Sequence, residues 1–384
     1  MKLVHLANFN STNIGNGALI HGLESAIQED FETLIEWSRE SWDDYTFKKI
    51  DFDRQFLERV NSSDGLIVGG AVTFNGRDYN SRTGTRFELP FDLWSEITVP
   101  VVFYGLSYRH WPGQQYHHLD RLIETIERIL RADNMLFSVR NDGTKAWLKQ
   151  LTGIDSSEII EIPDPALYVQ PLKGVAYPEL VENQNNVMIS FNDEDSEWRF
   201  NEGLSIENEL NYSRDYVVGE LVTAVERLSE KYEDMNFILV PHYYDDYRMI
   251  TDFLDRLKPQ IAHQRMVSTG LARVKDTKWF YGRYASSDLA ISMRVHSMSP
   301  CIGMGTPTIA FTTQDRMTNF MSDIGLGDQF VNAFSTDSGN QLAELTEIAL
   351  DSSNKFRDKQ LRARANLRER SRLFHGLIQD FILG

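Results

Sequence analysis

Short apolar runs of strand length alternate with amphipathic segments along most of the chain, and that alternation admits few folds. The runs Lys2–Ala7, Thr33–Trp37, Gly65–Val68, Pro100–Leu106 and Met135–Val139 predict strands. Ala18–Gln28, Asp53–Asn61, Tyr116–Arg131 and Gly143–Leu151 predict the helices between them. Strands joined through helices pair in parallel, so an α/β fold with helices on both faces of a parallel sheet is expected. The alternation pauses after Pro163-Asp164-Pro165, through a stretch with prolines, a glycine and several Asn and Gln that reads as a linker. It then resumes. Strands are predicted at Val187–Phe191, Asn236–Pro241, His263–Ser268, Leu289–Ser292 and Thr308–Phe311. Helices are predicted at Tyr216–Tyr232, Asp246–Leu257, Thr277–Ser286, Val295–Met304, Asp315–Ile324, Gly339–Asp351 and Asn354–Leu383. The expected architecture is two Rossmann-like domains facing across a cleft. The first spans 1–167, the linker 168–186 and the second domain 187–352. A long helix over 353–384 is placed to cross back to the first domain.

Charge and composition narrow the function. The formal net charge is −17, against the basic footprint that nucleic-acid binding requires. An anionic small molecule stays compatible if arginines gather locally inside the acidic shell. The single cysteine, Cys301, excludes an internal disulfide and fits a reducing compartment. The amino terminus passes from Lys2–Leu6 straight into polar Asn8–Asn13, without the apolar core of a signal peptide, and no apolar run reaches membrane length. A cytoplasmic location is expected.

In open parallel sheets, ligands bind beyond the carboxyl ends of the strands, where loops enter helix N-termini. Asn13-Ile14-Gly15-Asn16-Gly17 stands at such a place after the first strand. Its glycines permit close backbone approach to an anion; a tight turn capped by Asn16 explains it equally well. Gly69-Gly70 ends a buried strand, where a ligand or mere close packing requires small residues. Arg140 arrives at a strand end with Asp142 beside it, either an anion clamp or half of a salt bridge. The strongest segment is Arg294-Val295-His296-Ser297, which follows a strand and precedes a helix of small residues. In extended geometry the spacing of Arg294 and His296 places both side chains on one face. A permanent cation then stands beside a group that titrates near neutral pH. No His, Cys, Asp or Glu cluster has metal-ligand spacing: His117 and His118 are adjacent, and His110 and His242 are isolated.

With these residues in view, Asp288 to Leu326 resembles the signature region of the polysaccharide pyruvyltransferase family. A strand ends in Arg294-x-His296, a small-residue helix leads to Gly305-x-Pro307, and a further helix closes on Gly325-Leu326. Asn13-x-Gly15-Asn16, Gly69-Gly70, Ser138-Val139-Arg140 and Asp164-Pro165 stand, in order, where that family has N-x-G-D, a glycine run, S-V-R-D and D-P. The chain departs from the pattern at Asn16 (for aspartate), Ala71 (for a third glycine), Thr313 (for an aromatic residue) and Arg316 (for lysine).

The resemblance implies a fold like that of GT-B glycosyltransferases. It implies transfer of an enolpyruvyl unit from phosphoenolpyruvate to a sugar diol of a glycan or lipid-linked saccharide, as a cyclic ketal, with phosphate released and no cofactor. His296 is the expected general acid/base. Arg294, Arg140 and Arg316 are the expected cations for phosphate and carboxylate, and Asn13, Gly15, Asn16, Gly70 and Ser297 the expected hydrogen-bonding contacts. Two rivals share the fold: a glycosyltransferase with a nucleotide-sugar donor, and a non-catalytic glycan-binding relative. Lys355–Arg372 carries eight Lys/Arg against two acids, a local reversal of sign. Pairing with acids elsewhere in the protein is the plainer expectation, and peripheral contact with anionic membrane the other.

Overall fold

The computed structural model describes residues 1–69, 71–76, 81–205 and 209–384, and it divides into two compact units. The first unit comprises Met1–Ser11, Leu19–Pro165 and Asn366–Gly384; the second comprises Thr12–Ala18 and Ala166–Ala365. Two helices thus contribute to both units: Ile14–Asp30 by its first turn to the second unit, and Ser353–Leu383 by its last turns to the first.

The strands of the first unit are β1 (Lys2–Ala7), β2 (Glu36–Ser41), β3 (Gly65–Gly69), β4 (Val72–Asn75), β5 (Val101–Arg109), β6 (Met135–Arg140) and β7 (Ile160–Ile162). They pair in parallel in the order β2-β1-β3-β5-β6-β7, with β4 alongside the end of β5. Leu66, Val68, Phe103 and Val139 pack on one face against Leu122 and Ile126 of the helix Leu119–Arg131. The other face carries Leu3, Ile67 and Val102 against Leu23, Ile27, Phe374 and Ile378. The carboxyl-terminal helix is fixed there by polar contacts as well. His375 lies 2.7 Å from the Tyr104 hydroxyl and 2.5 Å from Asp30, and Arg368 donates to both Asp30 oxygens at 2.6 Å. Several basic residues of this helix are therefore paired with acids, as are Arg370 with Glu161 and Lys359 with Asp328.

The second unit contains β8 (Asn185–Ser190), β9 (Met235–Val240), β10 (Met266–Ser268), β11 (Leu289–Ser292), β12 (Thr308–Thr312) and β13 (Phe330–Asn332). All pairs are parallel, in the order β10-β9-β8-β11-β12-β13. Every residue of β9, β11 and β12 is buried, as a sheet covered on both faces requires. Ile189, Phe237, Ile291 and Phe311 form the core with Val218, Leu221 and Phe253 from the covering helices. Chain order reverses between β8 and β11, the point at which open α/β sheets leave a crevice at their carboxyl edge.

Both expected parallel sheets are present; β4, β7 and β13, four, three and three residues long, were not expected from the sequence, and two expected edge strands are displaced. The strand expected at Thr33–Trp37 lies at Glu36–Ser41, and that expected at His263–Ser268 is a helix, Pro259–Arg265, followed by the short β10. Both are edge strands that pair on one side only, so apolar pattern marks them weakly. Pro259 in the first turn, where its missing N–H is harmless, is the signal for the helix.

Candidate functional site

The loops after β8, β9, β11 and β12 meet at the carboxyl edge of the second unit's sheet. Arg294 lies just beyond β11 in extended conformation (φ −133°, ψ 143°), and the helix Val295–Met304 starts at the next residue. His296 is therefore not in a strand, and the alternation expected to put it on one face with Arg294 does not apply. Its backbone (φ −90°, ψ 17°) occupies the bridge region, sparsely populated in general and frequent at active sites. The cause is legible four residues on. Pro300 has no N–H to give the carbonyl of His296, so the first turn is not closed there. The Tyr281 hydroxyl donates to that carbonyl instead, at 2.5 Å. His296 is half-buried among neighbours that are almost all fully buried.

Arg294 is held on most sides. Its Nε donates to the Phe191 carbonyl at the end of β8 (2.9 Å) and to Asp246 (3.1 Å). Nη2 bonds the other Asp246 oxygen, and Nη1 reaches Glu194 at 3.3 Å. Asp246, fully buried at the start of the helix Asp246–Arg256, also accepts from the backbone N–H groups of His242 and Tyr243. It is the hub that ties the loops after β9 and β11 together. Burial disfavours the Arg294 charge, but Asp246 and Glu194 outweigh it and raise the guanidinium pKa above its ordinary value.

Two further arginines border this corner. Arg199, buried, donates from Nη1 to the Asn192 carbonyl and to the Thr313 hydroxyl, both at 3.3 Å. Burial and then the nearby Arg294 charge lower it to about 9. Arg316, half-buried, donates to Gln314 at 3.0 Å. Thr313, at the position where an aromatic residue was expected, thus contacts a buried cation. His242 is fully buried, with Nε2 2.8 Å from the Tyr284 hydroxyl. Burial, with Arg294 and His296 close by, pushes its pKa well below the ordinary value, so it is neutral near pH 7.

The amino-terminal loop joins the same unit. Asn13 Oδ1 accepts from the Gly15 N–H at 3.1 Å, the geometry of an N-cap, and Asn16 lies within the first turn; the cap is Asn13, not Asn16. A Cβ on Gly15 would meet the His296 Cβ at 2.8 Å and Nδ1 at 3.0 Å. The imidazole of His296 leaves no room for a side chain at this position.

Other expected contacts take different places. Arg140, 1% exposed in the first unit, is ion-paired with Asp164 at 3.0 Å and Asp142 at 3.8 Å, the salt-bridge arrangement that the sequence also allows. Ser297 is sealed, its hydroxyl on Ser190 (2.7 Å) and on the Arg294 carbonyl (2.9 Å), so it braces the turn. Gly70 lies outside the described residues, and Gly69 packs against Leu23 and Tyr104. His110 bonds the Gln114 carbonyl and Trp147. Among the described residues no group of three His, Cys, Asp or Glu is placed to hold a metal ion, and no helix is long and apolar enough to cross a membrane. Sequence reasoning missed Asp246, Glu194, Arg199 and Tyr281. The acids follow neighbouring strands, a positional signal, whereas nothing local marks Arg199 or Tyr281.

The fold is shared with proteins of known structure. Solved structures similar in fold include Anabaena HepE in complex with UDP and glucose (10% identity, 96% of this chain and 95% of that one, TM-score 0.52). A glycosyltransferase from Rickettsia africae matches at 12% identity over 100% and 98% of the two chains, with TM-score 0.52. UDP-GlcNAc 2-epimerase from Methanocaldococcus jannaschii matches at 13% over 92% and 93%, with TM-score 0.50. At these identities the likeness is one of fold, and that fold is GT-B. Among curated proteins no sequence matches. The sequence profile described as polysaccharide pyruvyl transferase matches residues 13–315, from the Asn13 cap to Asp315, the first residue of the helix Asp315–Asp323. On that span, which includes Asn13, Gly15, Arg140, Arg294 and His296, the chain belongs to the polysaccharide pyruvyl transferase family.

Proposed function

We propose that this protein moves the enolpyruvyl unit of phosphoenolpyruvate onto two hydroxyls of a sugar as a cyclic ketal, releasing phosphate. Family membership supports the reaction class. The observation that carries the residue assignment is His296: a half-buried imidazole on a bridge-region backbone, its carbonyl fixed by Tyr281, on the same short turn as a buried, charged Arg294.

The chemistry asks for a proton at one carbon and negative charge held at two groups. His296 delivers a proton to the methylene carbon of the donor, whose double-bond electrons form the new C–H bond. The adjacent carbon becomes oxocarbenium-like, and a sugar hydroxyl adds to it, returning its proton to His296. The C–O bond to phosphate then breaks with its electrons on the phosphate. The second hydroxyl closes the ring, and its proton leaves with that phosphate. Arg294, Arg199 and Arg316 answer the charge on the phosphate and carboxylate. Asn13 and Gly15 set the imidazole, and Asn16 in the same turn is assigned to an acceptor hydroxyl. The acceptor is a glycan or lipid-linked saccharide, and no cofactor is called for. A phosphoenolpyruvate donor places the reaction in the cytoplasm.

The second reading is a nucleotide-sugar donor, favoured by the Anabaena neighbour, which was solved with UDP and glucose. Thermal unfolding with phosphoenolpyruvate and with UDP-sugars separates the two, because a ligand bound only by the native state raises the melting temperature. A rise with phosphoenolpyruvate supports the proposal; a rise with UDP-sugars alone overturns it.

A further inference from the structure

The chain leaves β9 through His242-Tyr243-Tyr244-Asp245-Asp246-Tyr247, three tyrosines within five residues. Tyr244 is 58% exposed and Tyr247 39%, while Tyr243 is half-buried with its ring centroid 4.2 Å from that of Tyr244. Single aromatic residues in water need no explanation, but adjacent rings at the edge of a site forgo burial that a ligand would restore. The segment that carries them is fixed to the site. The N–H groups of His242 and Tyr243 donate to Asp246, the carboxylate that also holds Arg294. The His242 carbonyl accepts from Ile14, in the turn that sets Gly15 against His296. The rings are thus held in register with both the cation and the imidazole. Their surroundings do not suit an anion. Burial, then Tyr244, Glu194 and Asp245, raise the Tyr243 pKa above its ordinary value, so acids stand close to the phenol. Arg248, one turn beyond Tyr244, is taken up by Asp245 at 2.8 Å and Asp193 at 3.4 Å. An aromatic surface rimmed by carboxylate and phenol oxygens suits an uncharged ligand with C–H faces and hydroxyl donors. A pyranose has both.

We infer that Tyr243 and Tyr244 form the platform on which a pyranose of the acceptor stacks, beside the Arg294–His296 corner, with Asp245 accepting from its hydroxyls. The inference rests on the reading of the acceptor as a sugar and names the surface that seats it. The apolar C–H face of the sugar meets the electron-rich face of the ring, so the contact depends on the ring of Tyr244 and not on its hydroxyl. Phenylalanine at this position therefore keeps the platform, and alanine removes it.

The test is saturation-transfer NMR, titrated with methyl hexopyranosides and methyl N-acetylhexosaminides and separately with uridine. The proteins are the wild type, Tyr244→Ala, Tyr244→Phe and, as a control, Phe47→Ala, which removes a ring 71% exposed in the first unit. At least one glycoside is expected to receive saturation at its ring C–H protons from the wild type, and to bind Tyr244→Ala roughly tenfold more weakly. Tyr244→Phe and Phe47→Ala should bind it as the wild type does. No glycoside binding by the wild type, unchanged binding by Tyr244→Ala, or an equal loss in Tyr244→Phe or Phe47→Ala overturns the inference. A loss confined to uridine also overturns it and makes the rings a nucleobase seat. So does a loss of self-association with glycoside binding unchanged, which makes them a contact between copies of the chain. Phosphoenolpyruvate titrated into the same proteins separates the platform from the donor assignment. If Tyr244→Ala loses the glycoside while no protein binds phosphoenolpyruvate, the platform stands and the donor assignment fails. If all bind phosphoenolpyruvate and the glycosides are indifferent to Tyr244, the donor assignment stands and the platform fails.

Discussion

Replacing Gly15 with alanine tests the link between the amino-terminal turn and His296. The backbone there is not left-handed, so alanine is permitted by torsion and only crowding counts. The new methyl would sit 2.8 Å from the His296 Cβ, 3.0 Å from its Nδ1 and 3.1 Å from Asn13 Oδ1. Ordinary contact begins at about 3.4 Å, so the imidazole root must retreat by about 0.6 Å. The Cβ cannot swing away by rotamer, because its position is set by a backbone tied through Tyr281 and the Arg294 turn. A displacement of about 1 Å at a reacting group costs on the order of 100-fold in rate, so a loss of roughly tenfold in kcat is expected. Stability should change less. Overpacking costs about 1–3 kcal/mol, offset by about 1 kcal/mol from replacing glycine in a helix, which is a few degrees in Tm. Phosphate release from phosphoenolpyruvate at saturating acceptor, read beside the thermal midpoint, is the assay. A Gly15→Ala protein with wild-type kcat refutes the reasoning, since the crowding would then have been relieved without moving His296.

Asp246→Asn leaves the buried Arg294 guanidinium without its inner counter-ion, and should lower stability by about 3 kcal/mol or more, read as the urea midpoint of the second unit. Tyr281→Phe removes the donor to the His296 carbonyl, which Pro300 cannot replace; about 1–3 kcal/mol is expected, with a fall in kcat exceeding any change in KM. In the first unit, burial raises the Glu24 pKa, but the His5 hydrogen bond and then Arg39 outweigh it and hold the carboxyl at about 2 against an ordinary 4.5. A depressed pKa stabilises the fold above the unfolded value and loses that contribution as pH falls. The wild type should therefore exceed Glu24→Gln by on the order of 3 kcal/mol near neutrality, and the gap should close between pH 4.5 and about 2; a gap independent of pH would contradict the assignment.

The parts of the fold legible in the sequence are those whose physics is local. β9, β11 and the helix Val295–Met304 are continuous or periodic in their apolar residues because both faces of the second sheet are covered. The edge strand β2, with Glu36, Ser38, Arg39, Glu40 and Ser41 among its residues, carries no such pattern, and apolar residues mark Thr33–Trp37 beside it instead. The site divides in the same way. Arg294 and His296 are visible as a strand end entering a helix, and Pro300 in that helix explains the distorted turn. Position along the chain does not say which hydroxyl faces the core, as that of Ser297 does. The partner of Arg140 is not visible locally, because Asp164 is 24 residues away and the two come together where β6 pairs with β7. Arg199, Glu194 and Asp246 converge on Arg294 from loops after β8 and β9, a consequence of strand order that no single segment carries.

The proposed reaction is ketal transfer from phosphoenolpyruvate through His296. Its most direct measurement is mass spectrometry of a panel of hexose glycosides incubated with phosphoenolpyruvate and either the wild-type protein or His296→Ala. At least one glycoside heavier by pyruvate less water is expected, formed with one phosphate per ketal, and almost none from a folded His296→Ala protein. A wild-type protein that consumes phosphoenolpyruvate without adding that mass, or a His296→Ala protein that forms the ketal at full rate, would contradict it.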